Sequence, residues 1–380
     1  MNHTSRIIST YSADVFGVCS ALFELGGMII MHDASGCNST YTTHDEPRWY
    51  DMESMVYISG LSEMEAIMGD DEKLISDIVS AAEDLAPKFI AVAGTPIPTM
   101  TGFDFDAVAE LIEERTGIPA FGFPTTGMNT YIHGAAMALE AIARRFADKT
   151  KGRTKELSAN ILGLTPLDFT VNGTDAAIVQ FLEDAGYRVL SRWAMGSTLE
   201  ELTQAGGAHV NLVVSSSGLG AAKALQELFG TPYVVGVPMG KDYAAQIQAA
   251  LAAAVSSGQS QFPRSDLSGG DILIIGEAVN SLSLASALEL STGTGTVVLC
   301  QTECDQNCLR RKDLKLQSEE DIQQAMGQAR LVIADPLFRP ICPPDVRFLE
   351  LPVESFSGRL YREQIPNLIS EFRTYFHEVL

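Results

Sequence analysis

GGMIIMHDASGC, residues 26–37, runs from an apolar stretch through a histidine into a short polar turn that ends on glycine and cysteine. The stretch lacks polar alternation, so it suits a strand buried on both faces, as in a parallel sheet covered by helices. Similar runs recur down the chain: KFIAVAG (88–94), ANILGLT (159–165), YRVLSRW (187–193), VNLVVSS (210–216), YVVGVP (233–238), DILIIGE (271–277), GTVVLCQ (295–301) and RLVIAD (330–335). Amphipathic stretches lie between them, among them DEKLISDIVSAAEDLA (71–86), FDAVAELIEERTG (105–117) and AAIVQFLEDAG (176–186). The last two close on Gly117 and Gly186, as helices often do. A further helix is predicted from about Asp14 to Leu25, ahead of the opening run.

Strand–helix alternation of this kind builds doubly wound α/β domains. Their ligands sit beyond the carboxyl ends of the strands, where the strand order reverses. Two polar seams, ADKTKGRTKELS (147–158) and VSSGQSQFPRSDLSGG (255–270), divide the chain, and 380 residues exceed one ordinary core. The expected fold class is α/β, as three Rossmann-like domains with mainly parallel sheets, at 1–155, 156–265 and 266–380.

Composition narrows the partners. The chain is 46% hydrophobic and 19% charged, as a folded protein is, and carries a net charge of −22. A surface this acidic repels phosphate backbones and anionic lipid, which excludes nucleic acid and leaves a basic protein partner or plain solubility. The opening MNHTSRIISTYSADVF has no basic start followed by an apolar core, and no long uninterrupted apolar run follows. A cytoplasmic protein without a membrane span is expected. No G-x-x-x-x-G-K-[ST] motif occurs, so nucleotide hydrolysis is expected of a separate partner.

The six cysteines are Cys19, Cys37, Cys300, Cys304, Cys308 and Cys342, and in a large cytosolic protein such residues are thiols or metal ligands. Cys37 follows a strand end, and Gly36 before it would let a bulky inorganic group approach the backbone; the plain alternative is a small buried cysteine. Cys300-x-x-x-Cys304-x-x-x-Cys308 follows the strand GTVVL, so the three thiols share one carboxyl-end loop. Thiolates are soft ligands for iron–sulfur groups or zinc, and the alternative is a loop of incidental thiols. Arg310-Arg311-Lys312 beside them would balance an anionic cluster or simply be solvated, and Cys342, after another strand end, is a candidate to join them. Cys19 faces the core by helical periodicity. His32 is placed to hydrogen-bond a sulfide or orient the Cys37 loop, or else to be a satisfied buried imidazole; His44 is a contact candidate in an exposed loop. Ser216 and Gly218, in Ser215-Ser216-Ser217-Gly218-Leu219-Gly220, lie at a strand-to-helix turn whose N–H groups suit an anionic cofactor arm.

The order of these segments resembles the nitrogenase component 1 family, whose first domain reads as a helix, a strand, then His-Gly-Pro/Ser-x-Gly-Cys. Gly17-Val18-Cys19-Ser20-Ala21-Leu22, the strand ending at His32, and Gly36-Cys37 match that entry. Met68-Gly69-Asp70-Asp71-Glu72-Lys73-Leu74 resembles the family's Gly-Gly-x-x-Lys-Leu helix start. Thr95-Pro96-Ile97-Pro98 with Gly102-Phe103-Asp104 resembles Cys-Pro-x-x-Ile-Gly-Asp-Asp, and Phe121-Gly122-Phe123 through Asn129 to Gly134 resembles a glycine-rich turn into a helix. Gly196-Ser197-Thr198-Leu199-Glu200-Glu201-Leu202 and Leu212 through Ala222 resemble the second domain. The likeness is strong in 15–135 and diffuse afterwards.

The resemblance implies that Cys37 ligates an iron–sulfur cluster, [4Fe–4S] or P-cluster-like, shared across a subunit interface. Thr95 stands where the family has another cluster cysteine, and no cysteine lies between Cys37 and Cys300. A homodimer, or a heterodimer or heterotetramer with a paralogous chain, would then complete the ligand set. It further implies a central cavity between the domains, bordered by the Cys300–Cys308 loop, with a second metal cluster or cofactor there. The electron donor would be an ATP-hydrolysing iron protein, and the chain the catalytic component of a two-component reductase. A scaffold for assembling a metal cofactor and a metal-chelate-binding protein are the alternatives.

Overall fold

The computed structural model describes residues 6, 7, 13–36, 38, 41 and 46–380. Cys37, His44 and Asp45 lie outside the described residues. Three sheets, each wholly parallel, follow one another along the chain. The first comprises β1 (Met28–Met31), β2 (Met55–Ile58), β3 (Ile90–Ala93) and β4 (Ala120–Phe123) in the order β2-β1-β3-β4. The second comprises β5 (Ser158–Leu162), β6 (Arg188–Arg192), β7 (Val210–Val213) and β8 (Tyr233–Val235) in the order β6-β5-β7-β8. The third comprises β9 (Ile272–Ile275), β10 (Thr296–Cys300), β11 (Leu314–Lys315), β12 (Leu331–Ala334) and β13 (Arg347–Glu350) in the order β11-β10-β9-β12-β13.

Each quoted apolar run contains a strand, because side chains buried on both faces need no alternation: β1, β3, β5, β7, β9 and β12 are buried throughout. Phe121-Gly122-Phe123, read from sequence as part of a turn, is instead most of strand β4. Gly122 is required there, since a Cβ would stand 2.1 Å from the Phe105 carbonyl oxygen. The first helix ends at Leu22, three residues short of expectation, and the chain turns through 23–26 with Gly26 at φ +74°.

The helix Tyr131–Phe146 joins the sheets. It crosses the helix Asp14–Leu22 at two glycines: a Cβ on Gly17 would lie 2.0 Å from the Tyr131 oxygen, and one on Gly134 would lie 1.8 Å from the Asp14 oxygen. It also packs on the helix Leu219–Phe229. One apolar core accordingly runs from Val15 through Trp193 and Leu212 to Ile274 and Phe376.

Order reverses between β1 and β3, between β5 and β7, and between β9 and β12. These reversals open a crevice at the strands' carboxyl ends. His32, Thr95, Asp168, Ser216 and Glu277 follow five of those six strands, β1, β3, β5, β7 and β9.

Candidate functional site

The first crevice lies between the ends of β1 and β3. His32 continues β1 and is buried, its Nδ1 2.9 Å from the Ser59 hydroxyl and its ring 4.5 Å from that of Phe103. Burial pulls its pKa down to about 4, against an opposing pull from Glu65, so the imidazole is neutral. The Thr95 hydroxyl, after β3, donates to the His32 carbonyl at 3.0 Å. A Cβ added at Gly36 would meet no atom of the described residues within 4 Å.

An apolar face borders this crevice. The helix Glu63–Met68 buries none of its residues, and Met64, Ile67 and Met68 are 68–72% exposed. It adjoins the helix Pro96–Thr101, which exposes Met100 at 87%, and Pro96 touches the Gly127 turn beside the exposed Met128. Large apolar side chains clustered in water mark a contact surface. Glu63, Glu65, Asp70 and Asp71 give it an acidic margin.

Behind the crevice, Arg48 is a buried guanidinium. It reaches Glu46 at 2.6 Å and Glu24 at 2.9 Å, the Ser20 carbonyl at 2.8 Å, and the Ala194 carbonyl of the second sheet's β6 loop at 2.7 Å. Glu24 in turn accepts the Gly196 amide at 2.6 Å.

The second and third crevices face each other, and Glu277 after β9 spans them. It accepts the Ser216 amide (3.0 Å) and hydroxyl from the turn after β7, and the Val279 and Asn280 amides (3.0 and 2.9 Å) of the helix it caps. The Asn280 side-chain amide adds a bond at 3.1 Å. In this structure the donors that Ser216 offers at the expected strand-to-helix turn meet Glu277. The anion this turn holds is the protein's own carboxylate, because the facing sheet delivers Glu277 to it. Gly218 serves packing: a Cβ would stand 2.5 Å from the Leu162 carbonyl carbon.

Asp168, after β5, accepts the Tyr131 hydroxyl and the Thr165 hydroxyl, the latter at 3.0 Å. Burial, and then the nearby Glu277 charge, push its pKa up to about 7. Asp168 and Glu277 line a cavity of about 70 Å³ whose other walls include Val237, Met239, Ile274, Leu284, Leu351 and Leu368. Sequence reasoning missed this pair; DILIIGE showed a Glu at a strand end, but Ser216, which joins its own helix's amides on it, comes from another sheet.

The Cys300–Cys308 loop is clamped to its surroundings. Glu303 accepts the Thr130 amide at 3.1 Å, Asp305 pairs with Lys223 at 2.6 Å, and Arg264 donates to the Asn307 carbonyl at 3.1 Å. Cys300 ends β10, fully buried, its Sγ 3.4 Å from the Thr302 carbonyl oxygen. Cys304 is half-buried; Cys300 as its hydrogen-bonding neighbour, and then Lys315, outweigh burial and bring the Cys304 thiol down to about 7 while Cys300 moves up. Cys308 is buried, and burial raises its thiol. Among the described residues no three His, Cys, Asp or Glu side chains gather as for a metal, so Cys300, Cys304 and Cys308 stand as candidates on one loop and not as an assembled ligand set. Cys342 packs in a different apolar cluster from Cys300 and Cys308. Arg310 is neither solvated nor turned to a cluster; it is buried on Glu289 (2.8 Å) and Asp313 (2.9 Å), and Lys312 also reaches Glu289. Cys19 is fully buried in the core, as expected. No helix among the described residues is long and apolar enough to cross a membrane.

The family described as nitrogenase component 1 type oxidoreductase matches residues 14–330. The nitrogenase iron-molybdenum cofactor biosynthesis protein NifE of Clostridium pasteurianum is 28% identical over 180 residues, 47% of this chain and 38% of that protein. NifE of Klebsiella pneumoniae is 25% identical over 314 residues, 73% of this chain and 66% of that protein. A light-independent protochlorophyllide reductase polypeptide of Nostoc punctiforme is 28% identical over 185 residues, 45% of this chain and 36% of that protein. The chain thus spans little more than a third of the Clostridium and Nostoc relatives. The solved structure "Nitrogenase Cp1 at pH 6.5" superimposes with a TM-score of 0.70 over 100% of this chain and 94% of that one, at 16% identity, a likeness of fold.

Proposed function

Because the chain belongs to the nitrogenase component 1 type oxidoreductases, we propose that it is the catalytic-component subunit of an ATP-dependent, two-component reductase. In this reading Cys37 holds an iron–sulfur cluster completed by a second chain, with 1–155, 156–265 and 266–380 as the three domains. The carrying observation is the strand end that Cys37 follows in sequence: His32, five positions before it, continues β1 at the first order reversal, and Met64, Ile67, Met68 and Met100 are exposed on the two adjoining helices.

The donor set fits a shared cluster and not a self-contained one. Thr95 brings no thiol to the site, and no cysteine intervenes between Cys37 and Cys300. Since such clusters ordinarily take four thiolates, an identical or paralogous chain supplies the rest. The cluster, when bound, supplies one-electron transfer. The chain's own part is to keep the crevice dry with the neutral His32 against Phe103, and to offer the apolar, acid-rimmed face to an iron protein with a basic rim. A second metal group at the Cys300–Cys308 loop would need ligands beyond the thiols of that loop. The cytoplasm, where thiols stay reduced, suits the whole scheme.

Oxygen-free protein should contain iron and acid-labile sulfide, and Cys37→Ala should lose both. Unchanged iron in that variant overturns the proposal. The match to Klebsiella NifE over 73% of this chain favours a second reading, a scaffold on which a metal cofactor is assembled and passed on. Reduction of an acceptor with an iron protein separates the two, since a scaffold releases its cofactor without turnover.

A further inference from the structure

Cys300 and Cys304 bring two thiols together from unequal shelter. Cys300 closes β10, fully buried, and its S–H donates to the Thr302 carbonyl at 3.4 Å, on the loop side of the strand end. Cys304 is half-buried, packs on the apolar cluster that holds Cys300, and is its hydrogen-bonding neighbour. Cys308 is buried at the end of the short turn Gln306–Cys308, its amide bonded to the Asp305 carbonyl at 2.9 Å. All three are free thiols in this structure. Lys315, exposed on β11, lies in register with Cys300. The residues on either side of Cys304 anchor the loop. Glu303 accepts the Thr130 amide, at the head of the helix Tyr131–Phe146, at 3.1 Å. Asp305 pairs at 2.6 Å with Lys223 of the helix Leu219–Phe229. Residue 304 is the midpoint of a strap from the third sheet to helices of the other two.

We propose that Cys300 and Cys304 form a thiol–disulfide exchange site, closed to an intramolecular disulfide by a small anionic disulfide such as glutathione disulfide. Cys304, the accessible thiol, gives its proton to water, and its sulfur attacks one sulfur of the small disulfide. That S–S bond breaks, and its electron pair leaves with the other half as a thiolate. Cys300 then gives its proton to water, attacks the Cys304 sulfur and expels the second half. Two protein thiols are oxidised to one disulfide, and one small disulfide is reduced to two thiols that take up the two protons. The order follows from burial: the Cys300 sulfur meets no reagent from solvent, yet its neighbour is within reach. Lys315 supplies the positive charge that favours thiolate and draws an anionic reagent. A covalent bond is shorter than the contact it replaces, so closure pulls residue 304 toward the end of β10. The Glu303 and Asp305 anchors beside it then give way. The site does not depend on a cluster at Cys37.

The test treats the whole, oxygen-free chain with glutathione disulfide and caps the remaining thiols with iodoacetamide. Cleavage after Glu303 alone parts Cys300 from the other two thiols, and cleavage before Asp305 alone parts Cys308, so two digests read by mass spectrometry identify the joined pair. Cys300 and Cys304 should be joined, with Cys308 capped. Cys300→Ser should stop at a glutathione adduct on Cys304, Cys304→Ser should give neither product, and Cys308→Ser should still join the other two. Hydrogen exchange at the Thr130 amide should quicken by about tenfold or more on oxidation and return with dithiothreitol. A free Cys304 in the treated natural chain, a lasting glutathione adduct there, a bond from Cys304 to Cys308, or an unmoved Thr130 amide would each overturn the proposal. None of these readings involves iron, so a preparation without iron or sulfide would sink the reductase and leave them standing.

Discussion

His32 is neutral because it is buried against Phe103 and Ser59, and that has a cost in acid. Its folded pKa of about 4 lies below its ordinary 6.5, so between those values the unfolded chain binds the proton and the folded one does not. Stability therefore falls as the pH drops through that window. Between about pH 6.5 and 5 the loss is roughly 2 kcal/mol. His32→Gln should flatten it, measured as urea midpoints at the two pH values; an unchanged slope would mean the imidazole titrates normally. Cys304 is the opposite case, half-buried with its thiol brought down by Cys300. It should be alkylated before the other described cysteines, in peptide maps after brief iodoacetamide treatment. Both residues were legible as candidates from their place after strands. Their protonation was not, because that depends on Ser59, Phe103 and Lys315, all remote in sequence from the residue they tune or in another element.

The strands with continuous apolar runs were readable at once, and the elements that escaped were those lacking that signature. Strand β4 holds a glycine between two phenylalanines, β13 begins with an exposed arginine, and β2 and β11 are edges that need little apolar surface. The crossing of the helices Asp14–Leu22 and Tyr131–Phe146 was also hidden, since a helical glycine announces no partner until the partner's backbone is seen. Gly134→Ala should push the two helices apart at a cost of about 1–3 kcal/mol or more. Chemical denaturation would measure it, and a change within a few tenths of a kcal/mol would mean the helices separate freely. Glu277 belongs to the same class of hidden features. Nothing in DILIIGE tells that the second sheet presents the Ser216 amide and hydroxyl to its carboxylate.

Across the whole molecule, three order reversals point their carboxyl ends toward the places where polar residues collect, as parallel sheets of this kind require. The alternation of runs and helices was enough to expect this arrangement, and the family likeness agrees with it. What sequence left open was the outer surface, because exposure of Met68 and Met100 is decided by what fails to cover them. Replacing both with glutamate should weaken capture of the iron protein by about tenfold or more, read by surface-immobilised binding, with circular dichroism unchanged. Equal binding would move the docking site elsewhere. Arg48 carries a different consequence. One guanidinium satisfies two acids beside the first sheet and a carbonyl beside the second. Withdrawing it would strand those acids in dry protein, at about 3–5 kcal/mol. The two lobes are pinned like leaves on a hinge whose bolt has been driven home, so sliding one past the other would first have to pull that guanidinium from its acids.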